Sequence, residues 1–264
     1  MTRSYINSER LARLVEQLSE RDLAVLSTLE QVRLASAAQI ERLHFVGKSS
    51  QHRRRALLSL SNRRLVTRLD RVIGGVHAGS SGFLYQLSDV GQRALNHSTG
   101  LPRRLPSTPG TAFIRHALAV TELFVRLTEH SRTNAFELLE FTAEPNCWRH
   151  YPGRGGGRAV IKPDAYVRIG SGDYEDSWFV EVDLATEHPT TIKAKLDVYR
   201  AYWSSGTEQA GRGVFPRVLW TVPDQRRAQV MTDCFARQPA DAWSLFMVTP
   251  FDAAAGLMAG GMTS

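Results

Sequence analysis

Apolar residues recur at helical spacing through the first third of the chain. Ser19 to Leu34 carries Leu23, Leu26, Leu29 and Val32 in register, with Ser19 as N-cap and Asp22 three residues on. Ser36 to Phe45 opens on another capping residue and puts Ile40 and Leu43 on one face. A break at Gly47 to Ser50 precedes a third helix, Gln51 to about Arg64. On it Arg53, Ala56, Leu57 and Leu60 share one face, and Gln51, His52, Arg55 and Ser59 the opposite one. A β-rich run from Leu65 to Ile73, a glycine-rich stretch from Gly74 to Gly82 and a short strand, Phe83 to Leu87, come next. Ser88 then caps a helix from Asp89 to Asn96. Three helices followed by a glycine-tipped hairpin is the order of a winged helix-turn-helix, in which the third helix enters the major groove.

No periodic pattern survives the prolines and glycines of Thr99 to Gly110, which reads as a linker. Beyond it, Thr111 to Ser131 predicts a helix and Ala135 to Glu144 a strand. The glycine-rich Tyr151 to Arg158 lacks the GK[ST] ending of a P-loop and reads as a connector between strands. Ala159 to Ile169 predicts a strand entered through Pro163-Asp164, with a hairpin centred near Asp173 and a return strand from Ser177 to Asp183. Pro189 suits the first position of a helix reaching about Ser204, with Ile192, Leu196, Tyr199 and Trp203 as its buried stripe. A strand from Val214 to Val222, a helix from Arg226 to Arg237 and a strand from Ser244 to Val248 complete an α/β segment mixed around one sheet. The domains expected are 1–98, a linker 99–110, and 111–264.

Charge changes this picture. Residues 1–100 hold 15 Lys/Arg against 8 Asp/Glu, whereas residues 101–264 hold 18 of each, so the formal excess of +7 lies wholly in the first segment. That is the footprint of a module for a polyanion, here double-stranded DNA. The candidate DNA contacts are Gln51, His52, Arg53, Arg54 and Arg55 on the third helix, Arg63 and Arg64 at its end, and Arg68 on the strand after it. Arginine suits the task because its fork binds guanine edges or phosphates bidentately. Arg63 and Arg64 would equally satisfy the negative end of the helix dipole. No apolar run approaches the roughly 18 residues of a membrane span. Cys147 and Cys234 form no disulfide or metal-binding pattern, so a cytoplasmic setting is expected.

The acidic residues of the second segment carry the chemistry. In a hairpin centred near Asp173, Asp164 lies opposite the stretch Glu181 to Asp183, and strand period two puts Glu181 and Asp183 on one face. Three converging carboxylates repel one another, and a divalent cation such as Mg²⁺ or Mn²⁺ relieves that repulsion. Lys195 and Tyr199, one turn apart, can meet at the edge of the following helix. The alternative is that Glu181, Asp183 and Lys195 form a structural ion-pair network.

Pro163-Asp164 followed by Glu181-Val-Asp183 resembles the PD-(D/E)XK metal-dependent nuclease core. With Thr186-Glu187, Lys195 and Tyr199, and with a winged helix ahead of it, the chain resembles the replication-relaxation family of actinobacterial plasmids and integrated conjugative elements. The resemblance covers most of residues 20–222. It implies a restriction-endonuclease-like core with a central mixed sheet, and a DNA-binding protein of a mobile element acting in replication or conjugative transfer. Asp164, Glu181 and Asp183 would be metal ligands and catalytic groups in a Mg-dependent nicking reaction. The nuclease pattern wants lysine where Asp183 stands, and Lys195 would reach back in its place. Glu122, Glu140 and Glu144 are open candidates for a further upstream acid. A non-catalytic replication accessory or transcriptional regulator stays open beside the nuclease, as does a core that docks replication or conjugation proteins.

Overall fold

In the computed structural model, residues 6–69, 83–99, 110–133 and 136–260 are described. Contacts divide the chain between Val125 and Arg126 into two compact units.

The first unit begins with α1 (Ser8–Glu16), capped by Asn7. In α2 (Glu20–Val32) the Ser19 hydroxyl accepts from the Asp22 N–H at 3.1 Å, and the Asp22 carboxylate accepts from the Ser19 N–H at 3.2 Å. This reciprocal cap satisfies two donors that a helix start leaves orphaned. Ser36 and Gln39 repeat the device at the start of α3 (Ala37–His44), and Ser49 caps α4 (Ser50–Asn62). Leu26, Leu29, Ile40, Leu57 and Leu60 are buried, as their spacing requires. Arg64 takes a left-handed φ of 58° and turns the chain out of α4. Three short strands, β1 (Ala35–Ser36), β2 (Val66–Leu69) and β3 (Leu84–Leu87), pair antiparallel in the order β1-β3-β2. Helix α5 (Asp89–Thr99) follows, then α6 (Thr111–Arg132). The expected tip of the β2–β3 hairpin and the body of the expected linker, 100–109, lie outside the described residues.

The division by contacts falls inside α6 because its first half has apolar partners in the first unit: Ile114 and Ala117 pack with Leu34 and Leu84. Helix α1 escaped the periodicity because Leu11 is its sole buried residue. Arginines also hold it, with Arg63 donating to the Leu14 carbonyl and Arg93 to that of Ile6, just ahead of the helix.

The second unit is built on a five-stranded mixed sheet. Its strands are β4 (Glu137–Ala143), β7 (Ala165–Ser171), β8 (Tyr174–Val182), β9 (Arg217–Val222) and β10 (Phe246–Pro250), in the order β10-β9-β8-β7-β4. The β4–β7 and β7–β8 pairs are antiparallel, and β8–β9 and β9–β10 are parallel. A parallel pair needs a crossover, and α7 (Pro189–Ser204) and α8 (Thr207–Arg212) supply it between β8 and β9. The β7–β8 hairpin turns at Gly172, whose φ of 57° suits a residue without a side chain.

The stretch expected as one strand, 159–169, is two. Its first part, β6 (Arg158–Ile161), pairs with β5 (Arg149–Pro152), where a connector was expected. Pro163, with no N–H to donate, separates β6 from β7. Helices α9 (Gln225–Phe235) and α10 (Ala254–Gly260) complete the unit. Its core joins Phe179, Leu196, Tyr199, Tyr202 and Trp220. Tyr202 is buried beside Tyr199 on α7, whereas Trp203, expected in the stripe, is only half-buried.

Gly91 in α5 is a packing requirement with no signal in the sequence. A Cβ built there would lie 2.0 Å from the Leu65 carbonyl oxygen, a backbone atom that cannot step aside. Gly91→Ala should destabilise the protein by at least the roughly 1–3 kcal/mol typical of overpacking, measured as a loss in urea midpoint. An unchanged midpoint would contradict the close packing of α5 on the turn before β2.

Candidate acidic site and nucleic-acid interface

The hairpin register places Asp164 beside the end of β8. Its N–H donates to the Val180 carbonyl at 3.0 Å, and its Oδ2 accepts from the Val182 N–H at 2.7 Å. Glu181 projects into the space covered by α7 and is 2% exposed. Lys195 Nζ donates to Glu181 Oε2 at 2.7 Å, and the Tyr199 hydroxyl donates to Oε1 at 2.6 Å. Lys195 and Tyr199 stand four residues apart, so one helix face presents both donors. The same ammonium lies 2.7 Å from Glu187 Oε1 in the connection ahead of α7.

Burial, with the neighbouring Asp164, pushes the Glu181 carboxyl up to about 7 against the pull of Lys195 and Tyr199. Burial works against the charged form of Lys195, but Glu181 and Glu187 outweigh it and raise its pKa. Burial and Glu181 hold the Tyr199 phenol well above its ordinary value, so it remains a donor.

Asp183 takes a different course. It follows the last residue of β8, and its Oδ2 meets Arg227 Nε at 2.7 Å and Nη2 at 2.6 Å, while Oδ1 accepts from the Ala185 N–H at 2.6 Å. Arg227 also donates to the Glu187 carbonyl at 2.7 Å, fastening α9 to the loop between β8 and α7. The expected three-carboxylate cluster is therefore a pair, Asp164 and Glu181, with Asp183 engaged by arginine. Among the described residues, no group of three His, Cys, Asp or Glu side chains is arranged to hold a metal ion.

The three upstream acids separate. Glu122 belongs to the first unit, paired with Arg42 at 2.7 Å and accepting from Gln39 at 3.2 Å. Glu140 lies within 3.9 Å of Arg168. Glu144 is the one brought to the Pro163-Asp164 turn, its N–H donating to the Asp164 carbonyl at 3.0 Å. Cys147 lies beside it, its thiol donating to the Pro163 carbonyl at 3.0 Å.

Sequence reading missed Arg227 as a partner. One signal was available: Arg227 sits in the first turn of α9, where a cation opposes the helix dipole. A cation in that position implies a compensating anion.

On α4 the arginines sort by face. Gln51, Arg54 and Arg55 are exposed and have no side-chain partner among the described residues. Arg53 is half-buried and paired with Glu41. His52 is exposed but accepts from Arg21 at 2.8 Å, with its ring against Phe45. Arg63 is spent on the Leu14 carbonyl and lies 3.9 Å from Asp22. Arg64 is exposed with no side-chain partner among the described residues, and Arg68 stacks 4.0 Å over the Phe83 ring. Of the eight expected contacts, Arg53 and Arg63 work inside the fold. Among the described residues, the side chains of Gln51, Arg54, Arg55 and Arg64 meet no hydrogen-bonding partner.

A family model described as replication-relaxation matches residues 26–218. The chain belongs to the replication-relaxation family. The matched span runs from α2 into β9 and takes in α4, Asp164, Glu181, Asp183 and Lys195; Arg227 lies beyond it. Membership ties this replication-relaxation protein to replication. Comparison with curated proteins and with solved structures finds no match to either. No described helix is long and apolar enough to cross a membrane.

The raised Glu181 carboxyl makes a pH prediction. Its proton is held more tightly in the folded state, so the associated stability is present below the ordinary value of 4.5 and is lost as pH rises through about 7. In chelated buffer, the melting temperature of wild type should fall between pH 4.5 and 7 relative to that of Glu181→Gln. The opposite slope would mean that the ion pair with Lys195 outweighs burial.

Proposed function

We propose that this replication-relaxation protein binds duplex DNA of a plasmid or integrated mobile element and nicks it in its second unit. On this reading the first unit is a winged helix-turn-helix whose α4 enters the major groove, and the second a nuclease-like core. The observation that carries the catalytic half is the meeting of Asp164, Glu181 and Lys195, which come from β7's entrance, β8 and α7. Lysine so placed supplies the charge that Asp183 cannot.

The donor set suits Mg²⁺ or Mn²⁺ in a restricted way. Mg²⁺ uses one or two protein carboxylates and completes its shell with water and phosphate oxygens. Asp164 and Glu181 would be those two, and Asp183 would not join them. The ion would polarise a phosphodiester and lower the pKa of a bound water. Tyr199 fixes the orientation of Glu181. Lys195, a third exposed and able to lean on Glu187, would steady charge developing on the phosphate. Arg227 would hold the loop that carries Glu187.

A second reading, a non-catalytic DNA-binding accessory, is favoured by a specific observation. Both oxygens of Glu181 and both of Asp183 already accept from protein donors. Incubation with supercoiled plasmid and Mg²⁺ or Mn²⁺ decides between the two. Wild type should nick; Asp164→Ala and Lys195→Ala should lose nicking while still binding DNA; Lys193→Ala, whose ammonium pairs with exposed Asp197, should nick normally. Intact DNA binding without nicking in wild type would establish the accessory reading.

DNA binding has its own test in the full chain. Arg55→Ala should cost about 1–3 kcal/mol at the preferred site and much less elsewhere, as loss of a base contact does. Arg64→Ala should weaken all sequences equally and flatten the salt slope by about 0.9, one phosphate's worth. Equal losses on every sequence for Arg55→Ala would remove α4 from the role of reader.

A further inference from the structure

Beyond the arginines, the outward face of α4 carries one large apolar side chain. Leu58 is 49% exposed, although the same helix buries Leu57 and Leu60 almost completely. Helical geometry places it on the exposed side close to Gln51: seven residues on, it falls about 20° short of two full turns. Arg54 and Arg55 flank it, about 40° to one side and 60° to the other. A single exposed leucine on a protein surface is ordinary. This one is bracketed by two cations and an amide that have no side-chain partner among the described residues, so a surface that covers it and also accepts hydrogen bonds and carries negative charge would match all four side chains.

A major-groove edge meets both demands. It offers acceptors and an anionic backbone, and its one apolar group is the C5-methyl of thymine. We propose that Leu58 is a specificity-determining residue that reads a thymine methyl next to the bases contacted by Gln51, Arg54 or Arg55. The proposal rests on the DNA-binding reading of α4 and adds a base identity to it. An acidic protein surface would match the arginines but would leave the leucine without an apolar group of fixed position. A second copy of this face would set Arg54 and Arg55 against their own equivalents.

The test uses deoxyuridine, which keeps every hydrogen-bonding group of thymine and lacks only the methyl. The preferred duplex is selected from a randomised pool with the full chain, and each thymine is then replaced singly. Affinities of wild type and Leu58→Ala are measured by fluorescence anisotropy. At one thymine the replacement should weaken wild type about fourfold, the worth of one buried methyl group, and should leave Leu58→Ala unaffected. Leu58→Ala removes exposed atoms, and an unchanged circular dichroism spectrum verifies its fold. Wild type indifferent to deoxyuridine at every position overturns the proposal. An equal deoxyuridine penalty in both proteins also overturns it, since another residue would then read the methyl. Self-association lost in Leu58→Ala with DNA affinity intact would assign the face to a second copy instead. Failure to bind any duplex strikes the DNA-binding reading itself, an outcome distinct from the others.

Discussion

A carboxylate buried within an aromatic core governs the second unit. Glu181 stands on a central strand with only 2% of its surface exposed, packed in the layer that holds Phe179, Tyr199 and Trp220. An ionised group in such a place is tolerable only with a charge partner and hydrogen bonds to its remaining lone pairs. Lys195 and Tyr199 provide these from consecutive turns of α7, so the crossover helix is fixed to β8 in rotation as well as in distance. The same sheet face buries a second carboxylate, Glu208, with the Tyr202 hydroxyl and the guanidinium groups of Arg149 and Arg212 around it. Polar pairing therefore specifies how the helices sit on the sheet, and the aromatic residues fill the space between.

What the sequence made legible were relations between neighbours. The turn at Asp173 fixes which residues of β7 and β8 face each other, and that register alone puts Asp164 opposite Glu181. Proline at the first position of α7 fixes its phase, and Lys195 and Tyr199 follow one turn apart. Asp183 was misplaced for a corresponding reason. Its partner, Arg227, lies 44 residues away on another helix, beyond any local rule. The chain also leaves the strand at Asp183, so period-two alternation no longer governs where its side chain goes. The β5–β6 hairpin was hidden by its glycines, and α1 by having a single apolar anchor.

The three consecutive arginines of α4 show where composition stops being informative. They are chemically identical and adjacent, yet Arg53 is drawn into a pair with Glu41 while Arg54 and Arg55 stay in water. Helical phase makes the difference, since Arg53 lies on the side of Leu57 and Leu60. Phase also gives meaning to Leu58, which a count of hydrophobic residues would assign to the core.

Both units obey one principle: a charge the fold has used cannot easily serve a ligand as well. Arg63, Arg53 and Asp183 are used, each by a named partner. Arg54, Arg55 and Arg64 have no such partner among the described residues, which leaves them available to an outside anion. Lys195 is intermediate. It binds Glu181 on its buried side and reaches Glu187 on its more exposed side, so it can loosen one contact while keeping the other. An anion arriving at its exposed flank would compete for the ammonium with Glu181, and a cation held by Asp164 and Glu181 would weaken the same contact. On the nuclease reading proposed above, DNA and metal would thus act on one and the same lysine.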